Sequence, residues 1–152
     1  IYNLNLPPAK LDTLPLVEII DKISEVVNDF KPDEVLIPHL GDIHSDHRII
    51  HEALLSCTKW FRYNFVKRIL SYETLSETNF GLNANEQFCP NVYFNISGYL
   101  DLKIKAMEIY SSEIEAFPFP RSKIAIKSLA KYRGSTSGFE AAEAFQLLRE
   151  IK

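Results

Sequence analysis

The chain has 152 residues, of which 46% are hydrophobic and 12% aromatic, and its formal net charge at pH 7 is -3. This length and composition allow one domain with a filled core, and the charge excludes the basic surface typical of a nucleic-acid-binding protein. No apolar run approaches the roughly 20 residues that cross a bilayer, and the first residues carry no secretory signal. Cys57 and Cys89 form no CxxC pair and are expected in the core. These features predict a cytoplasmic protein without a membrane span.

Hydrophobic spacing predicts helices and strands that alternate along the chain. Thr13 and Pro15 supply start signals for the first helix, and Ser97 and Ser122 are expected to cap two later ones. The predicted elements are a helix over 16–30, a strand over 34–38, a helix over 48–60, a strand over 66–72, a surface loop over 76–90, a strand over 92–96, helices over 98–114 and 122–132, a turn-rich loop over 133–138, and a tail over 139–151 that suits either a helix or a strand. This alternation indicates an α/β fold with a mostly parallel sheet flanked by helices.

All four histidines fall within thirteen residues that directly follow the strand 34–38. Ligands of open α/β sheets bind outside the carboxyl ends of the strands, and imidazole is both a common metal ligand and an acid or base near pH 7. We therefore expect a site in this stretch, with two of the rings on one side of the first helical turn. The cluster consists of His39, His44, His47 and His51, with Asp42 and Asp46 among them.

A catalytic zinc uses three protein ligands and keeps one position open for water, whose pKa it lowers to about 7. One imidazole would bind the metal, while the other stabilises the developing oxyanion or protonates the leaving amine. A structural interpretation stays open for two of the histidines. His51 suits a helix-surface or packing residue, and His39 suits a cap at the end of the strand.

The run from Gly41 to Arg48, Gly-Asp-Ile-His-Ser-Asp-His-Arg, resembles the second motif of the LmbE-like (PIG-L) family of zinc-dependent de-N-acetylases. Further segments similar to the family follow in its order: Tyr72-Glu73, Ser76-Glu77, Pro90-Asn91, Lys103-Ile104-Lys105-Ala106, Pro120-Arg121-Ser122, Tyr132-Arg133-Gly134 and Ala142-Glu143-Ala144-Phe145. The resemblance implies a Rossmann-like sheet and a hydrolase. Its substrate would be an N-acetylglucosamine-type sugar or glycoconjugate, from which metal-activated water removes the acetyl group.

The resemblance also implies roles for individual residues. His47 would bind Zn2+ or another divalent metal, and His44 would be the catalytic imidazole that assists the tetrahedral intermediate and the leaving amine. Asp46 would be catalytic by hydrogen-bonding and tuning His44. Arg121 would contact a substrate hydroxyl or phosphate, or else cap its own region. Arg48 would form a salt bridge that braces the loop, or contact substrate.

The family opens with a strand that ends in a His-Pro-Asp-Asp-Glu type motif, which supplies the other zinc ligands and the general base. No such motif occurs in this sequence. We therefore expect residues 1–152 to form the C-terminal portion of a single LmbE-like domain, truncated at its N-terminus, with an oligomer possible. Two alternatives stay open. One is a non-catalytic derivative that binds a sugar or a partner, and the other is a self-contained metal site of His39, Asp42 and His47 for another hydrolysis.

Overall fold

The computed structural model describes residues 1–152. Helices and strands alternate along most of the chain, as the sequence predicts, and short 3-10 helices lie at Leu11–Thr13, Thr78–Phe80 and Ala84–Glu86. The main elements are α1 (Leu16–Phe30), β1 (Glu34–Pro38), α2 (Ser45–Ser56), β2 (Arg68–Tyr72), β3 (Val92–Asn95), α3 (Leu100–Ile109), α4 (Lys123–Ser137) and β4 (Ala142–Glu150). The predicted α/β fold with flanking helices is confirmed.

The four strands form one sheet in the order β1-β2-β4-β3. β1 and β2 pair in parallel, whereas β3 and β4 pair antiparallel, with Val92 opposite Phe145. The sheet is therefore mixed, while the sequence predicts a mostly parallel one. The difference arises because two helices, α3 and α4, separate β3 from β4, whereas a parallel crossover usually contains one. An antiparallel strand at the edge of such a sheet is common.

The chain divides into two compact units by its internal contacts. The first contains residues Ile1–Phe88 and Gln146–Lys152, and the second contains Cys89–Phe145. The core of the first unit is built from the apolar face of α1 together with β1 and β2; its fully buried members include Ile19, Ile37 and Ile69. In the second unit the buried side chains of Leu100, Ala130 and Ala141 cluster. None of the helices is both long enough and apolar enough to cross a bilayer.

Two segments near the C-terminus differ from the sequence expectation or resolve it. α4 continues to Ser137 through the segment predicted as a loop, and the hydroxyls of Thr136 and Ser137 bond back to the Arg133 carbonyl, both at 2.9 Å. Gly138, at a φ of 79°, then ends the helix in the left-handed conformation that glycine adopts without strain. The ambiguous tail is a strand, β4. Cys57 is buried as expected, but Cys89 is exposed.

Candidate functional site

The loop 39–44 between β1 and α2 lies at the carboxyl end of the parallel strand pair. Pro38, the last residue of β1, pairs there with Tyr72, the last residue of β2. Open α/β sheets bind their ligands outside the carboxyl ends of the strands. The fold therefore places the histidine loop where such a protein normally binds its ligand.

Hydrogen bonds within the loop hold its backbone in place. The Asp42 N–H donates to the His39 carbonyl oxygen at 3.2 Å. Nη1 of Arg48 donates to the carbonyl oxygens of Asp42 and Ile43, at 3.1 and 3.0 Å. Arg48 thus braces the loop as expected, although it does so through backbone carbonyl oxygens and not through the predicted salt bridge.

The ring of His47 is hydrogen-bonded to a buried carboxylate. Its Nδ1–H donates to Oδ2 of Asp42 at 2.7 Å, and the Asp42 side chain is 0% exposed while that of His47 is 28% exposed. The second carboxylate oxygen, Oδ1, accepts the hydroxyl of Thr78 at 2.6 Å. With Nδ1 engaged, Nε2 is the nitrogen of His47 left for a ligand. Metal-ligating histidines almost always donate their other ring N–H to a partner such as a carboxylate.

The electrostatics of the site favour positive charge at His47. The hydrogen bond to Asp42 raises the pKa of His47 above its ordinary value, burial lowers it in part, and the negative charges of Asp42, Glu77 and Asp46 add to the increase. Burial and the same Asp42 charge also raise the pKa of Tyr72. The surroundings therefore stabilise a proton or another cation at this imidazole.

His44 is the N-cap of α2. Its Nδ1 accepts the backbone N–H of Asp46 at 3.1 Å, a contact that Ser, Thr, Asp or Asn make at most N-caps. Because Nδ1 is an acceptor, the neutral ring carries its proton on Nε2. The rings of His44 and His47 stack with centroids 5.2 Å apart and planes at 29°, so the two imidazoles lie together as the spacing predicts.

The carboxylate of Asp46 makes different contacts from those predicted. It accepts the backbone N–H groups of Ala9 and Leu11, at 2.6 and 3.1 Å, instead of a hydrogen from His44. Asp46 contacts His44 through its backbone N–H, because it lies in the first turn of α2 directly below the cap. A carboxylate in that position is stabilised by the helix dipole, and here it also holds the segment 9–11 beside the helix.

The remaining two histidines are buried and hydrogen-bonded to carbonyl oxygens. His51 donates from Nδ1 to the Pro38 carbonyl at 2.7 Å, which confirms the packing interpretation. His39 contacts the Glu86 carbonyl through Nε2 at 2.8 Å, and its ring meets that of Phe88 edge-on, with centroids 5.3 Å apart. A Cβ on Gly41 would overlap the same Glu86 carbonyl. The segment 81–88 is a mostly exposed loop, as the sequence predicts, and it also packs against the histidine loop through Glu86.

Arg121 lies in the second unit, where it contacts Glu113 and Phe119. Nε donates to the Glu113 carbonyl and Nη2 pairs with the Glu113 carboxylate, both at 2.8 Å, and the guanidinium stacks over Phe119. These contacts match the interpretation that Arg121 caps its own region. Its contact with a substrate stays a prediction.

Among the described residues, His47 is the one whose surroundings suit a metal ligand. No three His, Cys, Asp or Glu side chains come together as a group that would hold a metal ion. The alternative site of His39, Asp42 and His47 does not form, because Asp42 binds Nδ1 of His47 and His39 binds the Glu86 carbonyl. His47, with its free Nε2 and its carboxylate partner, has the arrangement of one metal ligand.

Comparisons with known proteins agree with this interpretation of the fold. Residues 1–58 match the sequence model of the PIG-L family, described as GlcNAc-PI de-N-acetylase. The fold is similar to that of an N,N'-diacetylchitobiose deacetylase from Pyrococcus horikoshii, with a TM-score of 0.74 and 18% identity over 98% of this chain and 57% of that one. A conserved protein from Thermus thermophilus gives a TM-score of 0.75 and 23% identity over 99% of this chain and 66% of that one.

A third solved structure is the zinc-inhibited form of the teicoplanin deacetylase Orf2, with a TM-score of 0.64 and 20% identity over 100% of this chain and 57% of that one. The chain thus spans 57 to 66% of the length of these structures. The predicted resemblance to the LmbE-like (PIG-L) family is confirmed by the match of residues 1–58 to that family's model and by a fold shared with two deacetylases.

Proposed function

We propose that these residues are part of a metal-dependent hydrolase that removes the acetyl group from an N-acetylglucosamine-type sugar. The observation that carries the proposal is the pairing of His47 with the buried Asp42 carboxylate, beside the ring of His44, at the carboxyl end of β1. The PIG-L match and the fold shared with deacetylases support an amide hydrolase over other uses of an α/β sheet.

His47 would hold the metal through Nε2, with Asp42 fixing the ring and its tautomer. A divalent metal such as Zn2+ supplies Lewis acidity toward the amide carbonyl and acidifies water. His44 carries its proton on Nε2, from which it would donate a hydrogen bond to the developing oxyanion. It would also assist departure of the amine, whose proton would come from the attacking water. Asp46 would act on His44 through its backbone N–H, which keeps Nδ1 an acceptor.

The remaining features are part of the same proposal. The other metal ligands would come from a His-Pro-Asp-Asp-Glu type segment, which this sequence does not contain. Arg121 would contact a hydroxyl or phosphate of the substrate, since a guanidinium suits both. The setting would be cytoplasmic, and the substrate would be an N-acetylated sugar joined to a larger carrier.

Amine release from an N-acetylglucosamine glycoside tests the function directly. In the polypeptide that carries these residues, loaded with zinc, we expect free amine to accumulate. Treatment with a chelator should stop the release, and added zinc should restore it, because the protein residues would orient the amide toward a metal that supplies Lewis acidity. Fluorescent labelling of primary amines measures the product.

A variant that keeps the fold serves as the control. Exposed Lys152→Gln lies at the C-terminus and should release amine at the wild-type rate. Sugar binding without amine release in the zinc-loaded wild type would contradict the proposal and favour the non-catalytic alternative.

A further inference from the structure

We propose that Thr78 is a positioning residue that fixes the buried carboxylate of Asp42 and, through it, the ring of His47. The inference rests on the proposed role of His47 as a metal ligand. The Thr78 hydroxyl donates to Oδ1 of Asp42 at 2.6 Å, while Oδ2 accepts Nδ1–H of His47 at 2.7 Å. Each oxygen of the carboxylate thus has its own donor, so rotation of the carboxylate breaks both hydrogen bonds.

The direction of the Thr78 hydroxyl is itself set by the backbone. The N–H of Thr74 donates to Oγ1 of Thr78 at 2.7 Å, and the N–H of Thr78 donates back to the Thr74 carbonyl at 2.9 Å. A hydroxyl has one proton to donate. With an N–H occupying its acceptor side, that proton is aligned toward Asp42.

The segment that carries Thr78 is held against the loop at a second point. The backbone N–H of Ile43 donates to the Glu77 carbonyl at 3.3 Å. Ser76, between the two threonines, has a φ of 74°, a left-handed conformation that is strained for a residue with a side chain. Such strain persists where surrounding contacts determine the backbone, which suits a segment built to present one hydroxyl.

Burial makes the Thr78 hydroxyl hard to replace. The Asp42 side chain is 0% exposed, so water has little access to an oxygen that loses its donor. A buried acceptor without a partner is unfavourable, and the carboxylate would reorient to satisfy it. The Asp42–His47 hydrogen bond would then loosen, and the Nε2 lone pair would lose its fixed direction.

The test compares hydroxyl deletions on the same segment. In the metal-free chain, NMR of the 15N-labelled imidazoles measures how fast the Nδ1 proton of His47 exchanges with water. In Thr78→Val we expect the Nδ1 proton of His47 to exchange about tenfold faster than in wild type. The zinc dissociation constant of the polypeptide, measured separately, should also rise by about tenfold, which is the lower end of the effects seen when partners of metal ligands are changed. Thr78→Ser keeps the hydroxyl and should restore both. Thr74→Val removes a buried hydroxyl that has no hydrogen-bond partner and should change neither.

A wild-type measurement covers the case in which Thr78→Val does not fold. The Thr78 hydroxyl proton should be protected from exchange with water, whereas that of exposed Thr13, which donates to the Lys10 carbonyl, should exchange fast. Equal rates for the two hydroxyls, or unchanged His47 exchange in a folded Thr78→Val chain, would overturn the proposal. Wild-type protein that binds no zinc but shows the expected exchange pattern would support the placement of Thr78 and count against the proposed function.

Discussion

Replacing His44 with asparagine is expected to remove amide hydrolysis while leaving the fold as stable as wild type. Asparagine is among the best N-cap residues, so its side chain can accept the Asp46 N–H that Nδ1 of His44 accepts now. The Nε2 proton, however, has no equivalent in the variant. Loss of the donor that stabilises the oxyanion should reduce kcat by about 100- to 1,000-fold.

The matched variant is His44→Ala, which loses both functions of the ring. It should lose activity to the same degree and also lose about 0.5–2 kcal/mol of unfolding free energy, since the first turn of α2 loses its cap. Amine release and thermal or denaturant unfolding of the three proteins give the comparison. Wild-type activity in His44→Asn would show that His44 serves only as the N-cap of α2 and would contradict its catalytic role.

The Asp42→Asn substitution is expected to lower the pKa of His47 toward its ordinary value of 6.5, because the hydrogen bond to the carboxylate is the largest cause of the increase. The side-chain amide of the variant has one acceptor oxygen where the carboxylate has two, so either His47 or Thr78 loses its acceptor. The free energy of unfolding should therefore fall by about 1–3 kcal/mol. A chemical-shift titration of the metal-free imidazoles and urea unfolding measure the two effects.

The effect of Asp42→Asn on stability should depend on pH in a defined direction. The pKa of His47 is higher in the folded chain than in the unfolded one, so the pair stabilises the fold fully below pH 6.5 and less as pH rises through the folded pKa. The difference between wild type and variant should therefore be largest at acidic pH and shrink toward alkaline pH. Asp33→Asn, on the exposed approach to β1, is the control and should show no such trend.

Much of the site follows from local sequence. His44 and His47 are three residues apart at the start of a helix, and that spacing alone is enough to place their rings together. His51 lies one turn further along the same helix, where a packing role is expected. Arg48 lies close enough in the chain to reach the carbonyls of its own loop.

The parts that sequence missed depend on contacts between distant residues. Thr78 reaches Asp42 across 36 positions, and no local pattern marks a threonine in a polar loop as the donor to a buried carboxylate. The contacts of the Asp46 carboxylate could not be predicted for the same reason, because its partners, Ala9 and Leu11, are distant in sequence and belong to a segment with no predicted structure. The antiparallel pairing of β3 with β4 is likewise set by how the chain returns through α3 and α4.

The direct test of the metal site is NMR of the polypeptide that carries these residues, loaded with 113Cd in place of zinc and labelled with 15N in its imidazoles. If His47 is a metal ligand whose Nδ1–H is hydrogen-bonded to Asp42, Nε2 of His47 will show a one-bond coupling to cadmium while Nδ1 keeps its proton. A loaded, active protein in which the metal couples to other nitrogens and Nε2 of His47 shows no coupling would contradict the account.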